Sequence, residues 1–144
     1  MSRIKWQHAL VLLVMLFSCF SAMGKKPVLK NTTWTAVQKM FVADAGTMTI
    51  THTLEFGPGK DVRIREVGVM PSYPAMRMNP DGSVDMMPGW TNEREENGKY
   101  KIGKGMLTVK LESGGEKVYL LEPDGTMTTP DPLVHEVLVF TKTE

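Results

Sequence analysis

The side chains able to do chemistry here are few: one cysteine, three histidines and twelve methionines in 144 residues. Cys19 is the sole thiol, so the chain beyond it offers no disulfide and no thiolate for catalysis or zinc. His52 and His135 are the imidazoles outside the first two dozen residues. The segment from Met70 to Trp90 carries Met76, Met78, Met86 and Met87, the aromatics Tyr73 and Trp90, and prolines at 71, 74, 80 and 88. Thioethers are soft and adaptable, so this cluster suits an apolar ligand or an imprecise protein surface, and beside an imidazole it could hold copper(I). Tyr73, Met76, Met78, Met86, Met87 and Trp90 are therefore the candidate ligand- or partner-binding residues. The alternative is that they cover one end of the fold as a satellite core.

Carboxylates add little. Asn79 to Asp85 has oxygens at alternate positions, but its glycine stands fourth where a calcium loop needs it sixth, and no glutamate closes it. Pro80-Asp81-Gly82 reads as a turn, echoed by Pro123-Asp124-Gly125. Glu93, Glu95 and Glu96 lie beside Arg94, Asn97 and Gly98 as a solvated hairpin approach. With no G-x-S-x-G, no H-E-x-x-H and no phosphate loop, the chain reads as a non-enzyme without metal or cofactor. Seventeen Lys and Arg against sixteen Asp and Glu give a net charge of +1 and no basic stripe, so nucleic acid is not an expected partner.

These residues must be positioned by something exported. Arg3 and Lys5 precede an apolar run from Ala9 to Phe17 that is short for a membrane span, which marks residues 1–24 as an export signal. The cut falls either before Cys19 or after Gly24. Leu16-Phe17-Ser18-Cys19 resembles the lipobox of bacterial lipoproteins, which implies a lipidated Cys19 and a membrane-anchored protein of the cell envelope, outer membrane or periplasm. Ala22-Met23-Gly24 is the small-x-small alternative and implies a soluble secreted product. Residues 25–144 then form a single domain, large enough for one core.

The hydrophobic period of that domain is two. From Thr47 to Phe56, Met48, Ile50, His52, Leu54 and Phe56 share one face, and threonines with Glu55 share the other. His52 thus sits on the apolar parity, where a lone histidine belongs to a hydrogen-bonded core more often than to a metal. In Asp61 to Val69, Val62 and Ile64 have one parity and Val67 and Val69 the other, which predicts a bulge near Glu66. Further strands are expected at 33–42, 99–102, 106–111, 116–121 and 134–142, with Ser83 to Met87 as a short edge. Their separators, Asn97-Gly98, Gly103-Lys104-Gly105, Ser113-Gly114-Gly115 and Pro123-Asp124-Gly125, are turn chemistry. Seven or eight such strands make a small antiparallel meander β-barrel, or else a β-sandwich.

Trp34 opening the first strand, then a hairpin, then Gly98-Lys99-Tyr100-Lys101-Ile102 leading through Gly103-Lys104-Gly105 into Met106-Leu107-Thr108-Val109, resembles the lipocalin-like (calycin) envelope proteins of bacteria. The resemblance implies a small barrel with Trp34 plugging one end and a ligand or partner surface at the open end. The expected function is a non-catalytic binding module for a small apolar ligand or a protein partner. A structural or accessory lipoprotein and a Met-based copper(I) binder are the alternatives.

Overall fold

The computed structural model describes residues 27–130 and 136–143. The signal with Cys19, and His135 with Val134, lie outside them. Eight strands close into an antiparallel barrel, and two more form a separate ribbon. The barrel strands are β1 (Thr32–Val42), β2 (Gly46–Phe56), β3 (Asp61–Met70), β6 (Trp90–Gly103), β7 (Met106–Leu111), β8 (Gly115–Leu121), β9 (Met127–Pro130) and β10 (Val137–Lys142). Each pairs with its predecessor in the barrel, and β1 pairs with β10 to close it. This is an up-and-down meander, with β4 (Tyr73–Met78) and β5 (Val84–Met87) inserted between β3 and β6.

Period-two patterning decides which side chains enter. Trp34, Ala36 and Gln38 of β1 are buried, while Val37, Lys39 and Phe41 are exposed. The packed core of the interior is formed by Leu54, Phe56, Val62, Ile64, Leu107, Val109, Met127 and Phe140, with Leu29 among them. Trp34 donates its indole N–H to Thr32 Oγ1 at 2.9 Å, which satisfies its one polar group inside the core.

Turn residues supply the conformations that the hairpins need. Lys104 (φ 53°) and Gly105 (φ 74°) both take positive φ between Gly103 and Met106, which are paired, as a two-residue type I′ turn requires. Asp81 Oδ1 accepts from Ser83 N at 2.9 Å and from Ser83 Oγ at 2.6 Å. Asp124 Oδ1 repeats this with Thr126 N and Oγ1, at 2.9 and 2.7 Å. The two Pro-Asp-Gly sequences are thus the same side-chain-braced turn, and these bonds hold both carboxyls below their ordinary range.

Several expectations are corrected. There is no bulge at Glu66: pairing between β2 and β3 runs unbroken from Thr49↔Val69 to Phe56↔Val62. The strand keeps one register, so Val62, Ile64, Glu66, Gly68 and Met70 lie on the inner parity while Val67 and Val69 turn outward. The parity switch in the valines reflects a polar residue admitted to the interior. Second, the Met70 to Trp90 segment, in which only Ser83 to Met87 was expected to pair, is mostly strand. Tyr73↔Met87 and Pro74↔Met86 continue the register of Met70↔Trp90, so β3–β4 and β5–β6 are one long hairpin interrupted near Pro71 and Pro88. The proline nitrogens cannot donate across the break. A Cβ at Gly89 would lie 2.4 Å from Met70 O, so only glycine allows the two backbones to approach so closely there. Strand β9 lies where no strand was expected, and β6 begins nine residues before Lys99, so Asn97-Gly98, expected to be a turn, is paired inside a strand.

The barrel's outside is two-faced. On β2, β3 and β6, Arg63 bridges Glu55 at 2.6 Å and Arg65 bridges Glu93 at 2.6 Å. Across β7 to β10 the paired row Met106, Leu120, Thr128, Val139 carries no charge, and neither Val118 nor Val137 beside it does.

Gly98 tests the packing of this frame. A Cβ there would lie 2.5 Å from Lys110 O and 2.9 Å from Val109 Cγ1, whereas one at Gly103 would meet nothing within 4 Å. Gly98→Ala should cost about 1–3 kcal/mol by urea unfolding, as overpacking does, and Gly103→Ala roughly 0.5 kcal/mol or less. Equal costs would contradict the observed approach of β6 and β7.

Candidate functional site

Above the filled core the inner positions turn polar, and the interior opens into a cavity of about 610 Å³. Strands β1, β2, β3, β6, β8, β9 and β10 all line it. Its apolar wall is Met40, Ile50, Leu54, Ile64, Leu138, Phe140 and the ring of Tyr119; its polar side is Gln38, His52, Glu66, Arg94, Glu116 and Lys117. A second hollow of about 380 Å³, at the opposite end beside Gly57 and Gly98, is more open to solvent, and its Arg63 is taken up by Glu55 and Glu95.

Glu66 is the hub of the polar side. His52 Nδ1 stands 3.5 Å from Glu66 Oε1, and His52 Nε2 faces Gln38 Oε1 at 3.3 Å. Pairing sets this up, because His52 is directly opposite Glu66 on neighbouring strands and shares its face. Lys117 Nζ reaches the same Glu66 oxygen at 3.5 Å and Glu96 Oε2 at 3.9 Å. Glu96 also accepts from Arg94 at 3.2 Å and from Ser113 Oγ at 3.1 Å. In barrel order β3 and β8 are separated by β6 and β7, so the Glu66–Lys117 pair reaches across the interior. The hydrogen bond from His52 and the charge of Lys117 outweigh desolvation and hold the Glu66 carboxyl at about 2, down from 4.5.

Both ring nitrogens of His52 face oxygen atoms, Glu66 on one side and Gln38 on the other. Among the described residues no three His, Cys, Asp or Glu side chains gather as a metal group. The residues singled out in the sequence lie elsewhere. Tyr73 pairs with Met87, and Pro74 with Met86, on the ribbon; Met76, Met78 and Met86 are exposed, Met76 to 82 %. Trp90 pairs with Met70 where the ribbon joins the barrel. None of these six lines the cavity. His52 was identified on its parity, but its neighbours Gln38, Glu66 and Lys117 were not. Their signal was available: Gln38 shares the parity of Trp34, Lys117 that of Tyr119, and Glu66 that of Val62 and Ile64.

Comparison with protein-family models, with curated proteins and with solved structures finds no match to this chain.

Linkage gives the hub a test. An unfolded glutamate titrates near 4.5 and the folded Glu66 near 2, so its stabilisation is complete above pH 4.5 and is lost as pH falls through about 2. Wild-type Tm should therefore drop more steeply between pH 4.5 and 2 than that of Glu66→Gln, which should already be lower at pH 7. Parallel Tm–pH curves for the two proteins would show that Glu66 is not the coupled group.

Proposed function

We propose that this chain is a non-catalytic, exported, lipocalin-like envelope protein whose barrel binds a small, largely apolar molecule. The observation carrying this reading is the cavity. Its volume of about 610 Å³ suits a small ligand, and its lining combines an aliphatic and aromatic wall with a few converging polar groups, the usual composition of such sites. The hollow beside the packed core supports the same reading, because an unfilled apolar wall forfeits packing that a purely structural barrel would keep. Export, and anchorage through acylated Cys19, belong to the proposal on the strength of the leader and of Leu16-Phe17-Ser18-Cys19.

A protein partner docking on the ribbon is the second reading, favoured by the exposed Met76, Met78 and Met86. One experiment separates the two. The neutral fluorophore N-phenyl-1-naphthylamine should bind the purified protein. Ile50→Trp, which fills part of the cavity, should weaken binding by about tenfold or more, equivalent to about 1.4 kcal/mol. Met76→Ser, Met78→Ser and Met86→Ser together should leave it unchanged. The reverse pattern would move the site to the ribbon.

The anchor is tested on its own. Cys19→Ser should abolish labelling by a fatty-acid probe and release the protein from membranes. Unchanged fractionation would favour cleavage after Gly24.

A further inference from the structure

The charge and hydrogen-bond pattern of the cavity restricts which head group an amphiphile could place there, an inference that rests on the cavity being the binding site. Tyr119 lies in its wall with only 3 % of the residue exposed. The ring packs edge-on against Phe140, centroids 5.6 Å apart. No described group hydrogen-bonds the Tyr119 hydroxyl, yet among the described residues no side-chain oxygen is sealed in the interior without a partner. The hydroxyl therefore opens onto the cavity. Burial, reinforced by Glu66 and Glu96, raises its pKa well above the ordinary phenol value, so it stays protonated and presents a donor. An oxygen atom placed in the cavity can accept from it.

The basic side chains beside the cavity are already engaged. Lys117 is held by Glu66 at 3.5 Å and Glu96 at 3.9 Å, Arg94 by Glu96 at 3.2 Å, and His52 is turned to Glu66. A ligand carboxylate would have to displace a glutamate from its cation, and a ligand ammonium would have to displace Lys117 or Arg94 from its glutamate. An uncharged acceptor needs no such exchange. We propose that the cavity selects a neutral single-chain amphiphile, its ester, amide or alcohol oxygen accepting from the Tyr119 hydroxyl and its chain lying along Met40, Ile50 and Leu138, and that free fatty carboxylates are disfavoured.

The test compares heads on one tail. Dodecanoate, monododecanoylglycerol and dodecylamine, each below its micelle concentration, are titrated calorimetrically into the purified protein. The ester should bind about tenfold more tightly than either charged probe. Tyr119→Phe, which keeps the ring and removes only the oxygen, should weaken the ester about fivefold, the effect of one neutral hydrogen bond, and leave dodecanoate unchanged. Dodecanoate or dodecylamine matching the ester, or an ester affinity indifferent to Tyr119→Phe, overturns the head-group assignment while leaving the cavity reading intact. Failure of all three probes to bind overturns both.

Discussion

A carboxylate on the inner face of a small barrel must be neutralised where it stands, and Glu66 is the constraint around which this interior is arranged. Even a half-buried charge loses part of its hydration, so the fold brings cations or donors to it. The structure does so from two directions, with His52 directly opposite on β2 and Lys117 reaching over from β8. These partners stand above the level where Leu54, Ile64 and Phe140 close the packed core. Polar side chains that must stay together cannot interdigitate as aliphatic ones do, and the unfilled space lies beside them. The hub and the cavity therefore occupy the same region of the barrel.

The same residue marks the limit of what the sequence reveals. On β2 every even position from Met48 to Phe56 is apolar or His52, so its face was legible without any partner strand. On β3 the inner positions read Val, Ile, Glu, Gly, Met, and the outer ones end in Val67 and Val69. Read for hydrophobicity alone, that strand changes face midway. Only the pairing Leu54↔Ile64, His52↔Glu66, Ile50↔Gly68 shows that it does not. Lys117 could be placed near Glu66 only by closing the ring of strands, which no local pattern encodes. The barrel was thus readable from turns and periodicity, while its site depended on contacts between elements far apart in the chain.

The Met-rich segment illustrates the opposite error. Four prolines argue against a central strand, and rightly, since β4 and β5 pair only with each other. They do not argue against a two-stranded ribbon, in which each strand has one free edge where a missing donor costs nothing. Its methionines stand on that ribbon and not around the cavity. Strand β9 escaped notice because Met-Thr-Thr-Pro is too short to show a period.

The meander has a kinetic consequence. Every strand pair except one joins chain neighbours or the two arms of a hairpin, so most of the barrel forms from contacts that close short loops. The exception is β1 with β10, where Thr143 bonds the carbonyl of Thr33 across 110 residues. Loop-closure entropy is greatest for that pair, and its contacts give nothing back until the intervening strands are in place. Folding should therefore proceed as a curling sheet whose final, slowest event is the sealing of its two edges. Until that seam forms, β1 and β10 expose unpaired backbone, which makes the nearly complete barrel, more than the unfolded chain, the species at risk of pairing with a neighbour.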